Sequence, residues 1–305
     1  MRMGIILETD KITKAYGGAL AVNQVSIHVE RGEVYGLIGR NGAGKTTLLK
    51  MIANLATPTS GTYSIYDANG QKSPSMRSKI GVLIEDPGVF QNLNAFQNLK
   101  AKAIAAGIKN DRYLNDLLAF VGLYGVGKKP VKNFSLGMRQ RLGIAIAMVN
   151  DPELMLLDEP INGLDPQGIA EVRNLIHRLC VEKHISIIIS SHILEELSKV
   201  ANRYGIIHNG VLMAEATNEE LLSRCRPRLF LKTSDNDAAS AVLRELGIND
   251  FSVVADHIEV RERAQEGGAI SMALAQKGIQ TLEMRTEGQS VEDYYFHLTG
   301  GASYV

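Results

Sequence analysis

The sequence predicts an α/β protein whose mostly parallel sheet is covered on both faces, followed by a smaller α+β domain. Three observations lead there. Short apolar runs such as "VYGLIG", "LMLLD" and "ISIIIS" alternate with helical spacing, as parallel strands buried on both faces require. The glycine-rich stretch "GRNGAGKTT" (residues 39–47) joins one such run directly to a helix. Near "SRCRPRLF" (residues 223–230) the composition changes, and the order beyond it reads β-α-β-β-α-β.

In chain order, alternating segments such as "QVSIHVERGEVYGLIG" within residues 4–40 read as strands with a turn at Arg31 and Gly32. A helix starts near Lys45, its apolar face carried by Leu48, Leu49, Ile52 and Leu55, and ends near Pro58. The strands "TYSIY" and "KIGVLI" follow, the second stopping on two acids, Glu85 and Asp86, before a proline. Between Asn94 and Val126 the spacing turns helical, with Phe96, Leu99, Ile104, Leu114, Leu117 and Phe120 as its expected buried face. A helix from Pro166 to Arg178 lies between the strands "LMLLD" and "ISIIIS". Pro227 marks the boundary between a domain of residues 1–222 and one of residues 223–305. In the second, Gly247 and Gly278 suit the left-handed position just past a helix end, and the strand–helix order is that of a ferredoxin-like unit. Ser290 and Asp293 read as the capping box of a last helix, "SVEDYYFHL".

Composition narrows the function. Lysine plus arginine and aspartate plus glutamate each total 33, so a formal net charge of zero argues against a general nucleic-acid binder, which needs excess cations. Cys180 and Cys225 form no paired metal or redox spacing, as expected of a reducing cytosol. No stretch reaches 18 consecutive apolar residues, and the start "MRMGIILETD" is too short in apolar residues for a secretory signal. A soluble protein is expected, with any membrane role carried by a partner.

The chemistry is concentrated at strand tips. "GRNGAGKTT" fits G-x-x-x-x-G-K-[ST] in the strand-to-helix context that the motif needs. Gly39, Gly42 and Gly44 let successive N–H groups curl around phosphate oxygens, and the helix start near Lys45 adds its positive end. Lys45 reaches the β- and γ-phosphates, and the Thr46 hydroxyl joins the coordination of Mg²⁺. "LMLLDEP" delivers Asp158 to the same ion from a neighbouring strand and leaves Glu159 to orient or polarise an attacking water. Phosphoryl transfer to water is the leading chemistry.

Four further segments, "KAYGG" with Tyr16, "NFSLGMRQR", "PINGLDP" and "ISSHILEE" with His192, flank these motifs in order. The succession resembles the ATP-binding subunits of ABC transporters over about residues 4–222. The resemblance implies a P-loop NTPase domain with a RecA-like core, an antiparallel β subdomain and a helical subdomain. It also implies that Tyr16 stacks on adenine and that Gly39, Asn41, Gly42, Ala43, Gly44, Lys45, Thr46 and Thr47 hold the phosphates. Ser135 and Gly137 correspond to the signature that closes over the γ-phosphate of a second copy. Asp165 lines that subunit boundary, and His192 is the switch histidine at the γ-phosphate.

Two departures from the family pattern stand out. The signature reads Phe134-Ser135-Leu136-Gly137-Met138 where L-S-G-G-Q is usual, keeping the serine and second glycine. Glu85 replaces the glutamine that usually follows its strand, which adds charge and removes an amide donor. This glutamate, with "DPGVFQNLNAFQNL", "FSLGMRQRLGIA" and the tail "VEDYYFHLTGG", resembles the bacitracin- and lantibiotic-resistance branch of exporters. The resemblance implies ATP and Mg²⁺ as ligands and Glu85, Thr46 and Asp158 around the metal. It also implies an ATP-sandwich homodimer and an integral-membrane permease, on whose cytoplasmic side the chain sits. The alternatives are a soluble ABC-type ATPase acting on ribosomes or DNA, and a P-loop kinase or GTPase. The missing second cassette, coiled coil and N-K-x-D segment weigh against them.

Overall fold

In the computed structural model the chain begins with a long strand, β1 (Ile5–Tyr16), that pairs antiparallel with β2 (Ala19–Val25), β3 (His28–Glu30) and β5 (Ser60–Ile65). Residues 4–224 and 228–287, with Tyr294 and Leu298, are described by the structure. The chain divides into one unit of Met1–Asn218 and another of Glu219–Val305.

The central sheet of the first unit runs β10-β9-β4-β8-β7-β6. Its members are β4 (Val34–Ile38), β6 (Ile80–Leu83), β7 (Leu154–Asp158), β8 (Ser186–Ser191), β9 (Arg203–His208) and β10 (Val211–Thr217). All neighbours are parallel except β10 on β9, which closes one edge. Every residue of β4, β7 and β8 is buried. Each large apolar side chain so buried contributes about 1.5–3 kcal/mol relative to exposure, which accounts for the unbroken apolar runs in the sequence.

Helix α1 (Lys45–Ile52) packs Leu48, Leu49, Met51 and Ile52 into a core shared with Ile6, Leu7 and Ile12 of β1 and Leu156 of β7. It is shorter than the spacing predicts. Ala53 closes it, Asn54 takes a left-handed φ of 58°, and Leu55 is exposed. Helices α2 (Ala95–Ala105), α3 (Asp111–Phe120) and α4 (Leu136–Met148) pack on one another. A capping box in which Asn94 and Gln97 exchange hydrogen bonds of 2.9 and 3.0 Å starts α2. Leu99, Leu114 and Leu117 are buried as expected, but Ile104 is exposed: the inward stripe of α2 runs through Leu99 and Ala103, one residue away. Phe120 is half-buried between Arg178 and Lys183, whose cationic groups lie 4.2 and 5.4 Å from its ring centre. Helix α5 (Pro166–Lys183) connects β7 to β8, and the short α6 (Leu194–Leu197) precedes β9.

Helix α7 (Asn218–Arg224) spans the division between the units. The described residues of the second unit include β11 (Arg228–Thr233), α8 (Asn236–Glu245), β12 (Phe251–Val254), β13 (His257–Val260), α9 (Gly267–Gln276) and β14 (Thr281–Glu287). Its sheet is antiparallel throughout, in the order β12-β13-β11-β14. Leu229, Leu231, Ile258 and Val260 of the sheet pack on Leu243 and Leu274 of the helices. Gly247 and Gly278 adopt φ of 78° and 76°, the left-handed conformation that ends both helices. The capping box expected at Ser290 and Asp293 lies outside the described residues.

Candidate functional site

The sheet order brings the expected residues to one edge. β4, β8, β7 and β6 are consecutive parallel neighbours, so their carboxyl ends lie side by side. The glycine-rich loop leaves β4, His192 follows β8, Asp158 and Glu159 end β7, and Glu85 follows β6. Open parallel sheets bind ligands at this edge.

The loop of residues 39–44 curls as its glycines allow. Gly42 and Gly44 have φ of 83° and 107°. Gly44 caps α1 without any side-chain hydrogen bond, and no acid occupies the first turn. The N–H groups at the start of α1 therefore face the loop, the arrangement that receives an anion. Lys45 is only 5 % exposed, and its ammonium donates to the carbonyls of Gly39 at 2.6 Å and Arg40 at 3.2 Å. Asn41 and Gly42 are exposed, Ala43 is buried, and Thr47 is partly buried at the start of α1.

Gly44 tolerates no side chain. A Cβ there would meet the Ala21 carbonyl oxygen at 2.4 Å. Gly44→Ala is expected to lose roughly 1–3 kcal/mol of stability from backbone strain alone, read as the midpoint of urea unfolding. Gly88→Ala, where a Cβ meets nothing within 4 Å, is the matched control.

Across from the loop, Asp158 accepts from the Thr46 hydroxyl at 2.7 Å through Oδ2 and from the Ser190 hydroxyl at 2.5 Å through Oδ1. Glu159 turns out of β7 with a left-handed φ of 47°. Its Oε1 lies 3.1 Å from Lys45 Nζ, an ion contact without hydrogen-bond alignment, and its Oε2 lies 2.8 Å from His192 Nδ1. With the carboxylate 19 % exposed, the contact is partly shielded from solvent. The Thr46 hydroxyl and the Asp158 carboxylate are hard oxygen donors of the kind Mg²⁺ takes when phosphates and water supply the rest. Among the described residues no three His, Cys, Asp or Glu side chains form a ligand cluster. The donor set thus fits an ion that arrives with a phosphate ligand.

Glu85 also has a left-handed φ, 63°. Its carboxylate is 65 % exposed and accepts from Lys50 Nζ of α1 at 2.6 Å. This bond raises the Lys50 pKa above the ordinary lysine value, with smaller contributions from Tyr16 and Asp158. Glu85 therefore reaches the loop helix through Lys50. Tyr16 ends β1 with its ring exposed and Lys14 Nζ 4.9 Å from its centre.

The remaining expected residues gather elsewhere in the unit. Ser135, Gly137 and Asp165 line one open cavity of about 380 Å³ together with Met138 and Arg141. Ser135 caps α4, accepting from Met138 N–H at 3.2 Å, and Asp165 caps α5, accepting from Gly168 N–H at 2.9 Å. No residue of the 39–47 loop lines this cavity.

A family model described as ABC transporter matches residues 22–162, and one described as AAA domain, putative AbiEii toxin, matches residues 127–198. The chain is 41 % identical over 304 residues to the bacitracin transport ATP-binding protein BcrA of Bacillus licheniformis, covering 99 % of both chains. With BcrA of Enterococcus faecalis it shares 39 % over 303 residues, covering 99 % of this chain and 98 % of that one. The chain belongs to the ATP-binding proteins of ABC transporters. The lantibiotic transport ATP-binding protein SrtF of Streptococcus pyogenes is 43 % identical over 210 residues, 69 % of this chain and 90 % of SrtF. A solved ATP-binding subunit of an ABC transporter matches with a TM-score of 0.62 and 30 % identity, over 72 % of this chain and 92 % of that one. This ABC subunit is an ATPase. No helix among its described residues is long and apolar enough to cross a membrane.

Two residues of the ABC site escape sequence reasoning. Ser190 is fully buried and touches Asp158 and the backbone of Glu159. Its one signal is that "ISIIIS" ends on a hydroxyl deep in an apolar run. Lys50, the partner of Glu85, gives no signal, because a lysine on a helix looks like any solvated cation.

Proposed function

We propose that two copies of this subunit close around two ATP molecules and thereby drive a separate integral-membrane permease that exports a peptide antibiotic of the bacitracin or lantibiotic kind. The observation that carries the hydrolytic part is the Glu159 carboxylate held between Lys45 and His192, at 3.1 and 2.8 Å. A base poised beside the phosphate-binding lysine is positioned to accept a proton from water attacking the γ-phosphate. Lys45 and the N–H groups of residues 39–47 bind the phosphates, Tyr16 stacks on the adenine, and His192 orients Glu159 and reaches the γ-phosphate. Thr46 and Asp158 would hold Mg²⁺, with Glu85 contributing to its surroundings; the ion would supply neutralisation of the charge on the phosphate oxygens.

The geometry of a single copy supports closure. The 39–47 loop and the Ser135, Gly137 and Asp165 cavity are separate surfaces. A twofold pair would set the cavity of one copy over the loop of the other, so that each site is completed in trans. ATP then favours the closed pair by binding it more tightly, and loss of the γ-phosphate removes the preference. The exported class is supported by the end-to-end likeness to bacitracin transport ATP-binding proteins, which includes the accessory domain of residues 223–305. The strand order of that domain, β14-β11-β13-β12, is 4-1-3-2 counted within it and supports a ferredoxin-like reading. The subunit is peripheral on the cytoplasmic face of the membrane, held there by the permease.

Co-expression with a candidate multi-span permease tests this reading. Detergent extracts are expected to yield a complex of the two, and cells carrying both are expected to tolerate more bacitracin or lantibiotic than cells carrying either alone. Glu85→Ala is expected to lower that tolerance. Recovery of the chain on ribosomes or DNA with no membrane protein would favour the soluble alternative.

A further inference from the structure

Ser190 lies within "ISSHILEE", two residues before His192, yet the resemblance assigns it no role. It pairs across the sheet with Asp158, β8 beside β7, and its side chain is fully buried. A serine hydroxyl has one hydrogen to donate and two lone pairs to accept with. Here the hydrogen goes to Asp158 Oδ1 at 2.5 Å, and a lone pair receives the Glu159 N–H at 3.0 Å. The same N–H also points at the Ser190 carbonyl, 3.2 Å away. One buried hydroxyl therefore ties together the side chain of one acid and the backbone of the next.

We propose that Ser190 is a positioning residue that sets both acids for metal binding and hydrolysis. The inference rests on the reading of Asp158 as a metal ligand and Glu159 as the base. A carboxylate on a strand tip turns readily about its last torsion, and a charge-assisted bond to one oxygen stops that rotation. With Oδ1 held by Ser190, Oδ2 is presented to the Thr46 hydroxyl at 2.7 Å, where the two oxygens converge as donors. The second bond acts on the backbone. Glu159 adopts a left-handed φ of 47°, which costs a non-glycine residue roughly 1–3 kcal/mol unless its surroundings hold it. The Ser190 hydroxyl and carbonyl supply that hold, and the turn aims the carboxylate at Lys45 and His192. Residues that orient metal ligands from behind typically change metal affinity or activity by about 10–100-fold when removed.

The test compares Ser190→Thr with Ser190→Val, which share a shape and differ in the hydroxyl, with Ser190→Ala as a smaller second removal. Binding of a fluorescent ATP analogue is titrated in EDTA and at increasing Mg²⁺, and kcat and KM are measured separately. Ser190→Val and Ser190→Ala are expected to bind nucleotide in EDTA like the parent protein. They are expected to need about tenfold more Mg²⁺ for its effect on binding and to lose about 10–100-fold in kcat. Ser190→Thr is expected to recover at least most of both losses. Equal behaviour of the Thr and Val variants, or a Mg²⁺ requirement unchanged in Ser190→Ala, overturns the proposal. Asp158→Asn separates the two levels. If it leaves the Mg²⁺ dependence intact, the metal-site reading fails; if it abolishes it while the Ser190 variants are unaffected, only the role of Ser190 fails.

Discussion

Glu159→Gln is expected to slow ATP hydrolysis by roughly 10²–10⁴-fold while leaving nucleotide bound, the range for losing a positioned general base. The substitution keeps the size of the side chain and an oxygen able to face His192, but it removes the charge that meets Lys45 at 3.1 Å. That carboxylate competes with phosphate for the lysine. Affinity for ATP is therefore expected to be equal or higher in the variant. Bound ATP that persists should hold the closed pair, so light scattering with saturating Mg-ATP is expected to give twice the mass of the chain. Hydrolysis within threefold of the parent rate would remove Glu159 from the chemistry. A monomer at saturation would count against closure.

Lys45→Ala is expected to act one step earlier, weakening ATP binding by about 10–100-fold, since hydrogen bonds to charged groups contribute about 1.5–3 kcal/mol. The lysine is nearly enclosed and already directed by the Gly39 and Arg40 carbonyls at 2.6 and 3.2 Å, so its ammonium is held in place before phosphate arrives. Little ordering remains to be done on binding, which is why its removal should appear in affinity and not only in rate. Titration with a fluorescent ATP analogue reads the effect. Affinity within twofold of the parent would mean that the phosphates rest on backbone N–H groups alone. The two variants thus separate binding from hydrolysis at residues whose charged groups touch.

Much of this architecture was legible because its signals are local. Apolar runs at β4, β7 and β8 announce strands buried on both sides, and the 39–47 loop announces itself by spacing. Gly247 and Gly278 likewise mark helix ends through their own backbone preference. What was illegible depends on contacts between distant segments. Leu55 fits the apolar spacing of α1, yet the helix stops three residues earlier and leaves it exposed. Ile104 is apolar on a helix whose inward stripe passes one position away. Ser190 meets Asp158 only through the register of β8 on β7, 32 residues apart in sequence. Lys50 and Glu85 find each other because α1 and the end of β6 are adjacent in space. Spacing within a segment reveals what it buries; it does not reveal which tip stands beside which.

The most direct test of closure is the crystal structure of the Glu159→Gln subunit with saturating Mg-ATP, and in it the distance from Ser135 of one copy to the γ-phosphate resting on Lys45 of the other. The expected result is a hydrogen bond, about 2.6–3.2 Å between heavy atoms, at both sites of a twofold pair. A loaded structure in which Ser135 stands far from every neighbouring phosphate, with each nucleotide enclosed by one copy alone, would contradict it.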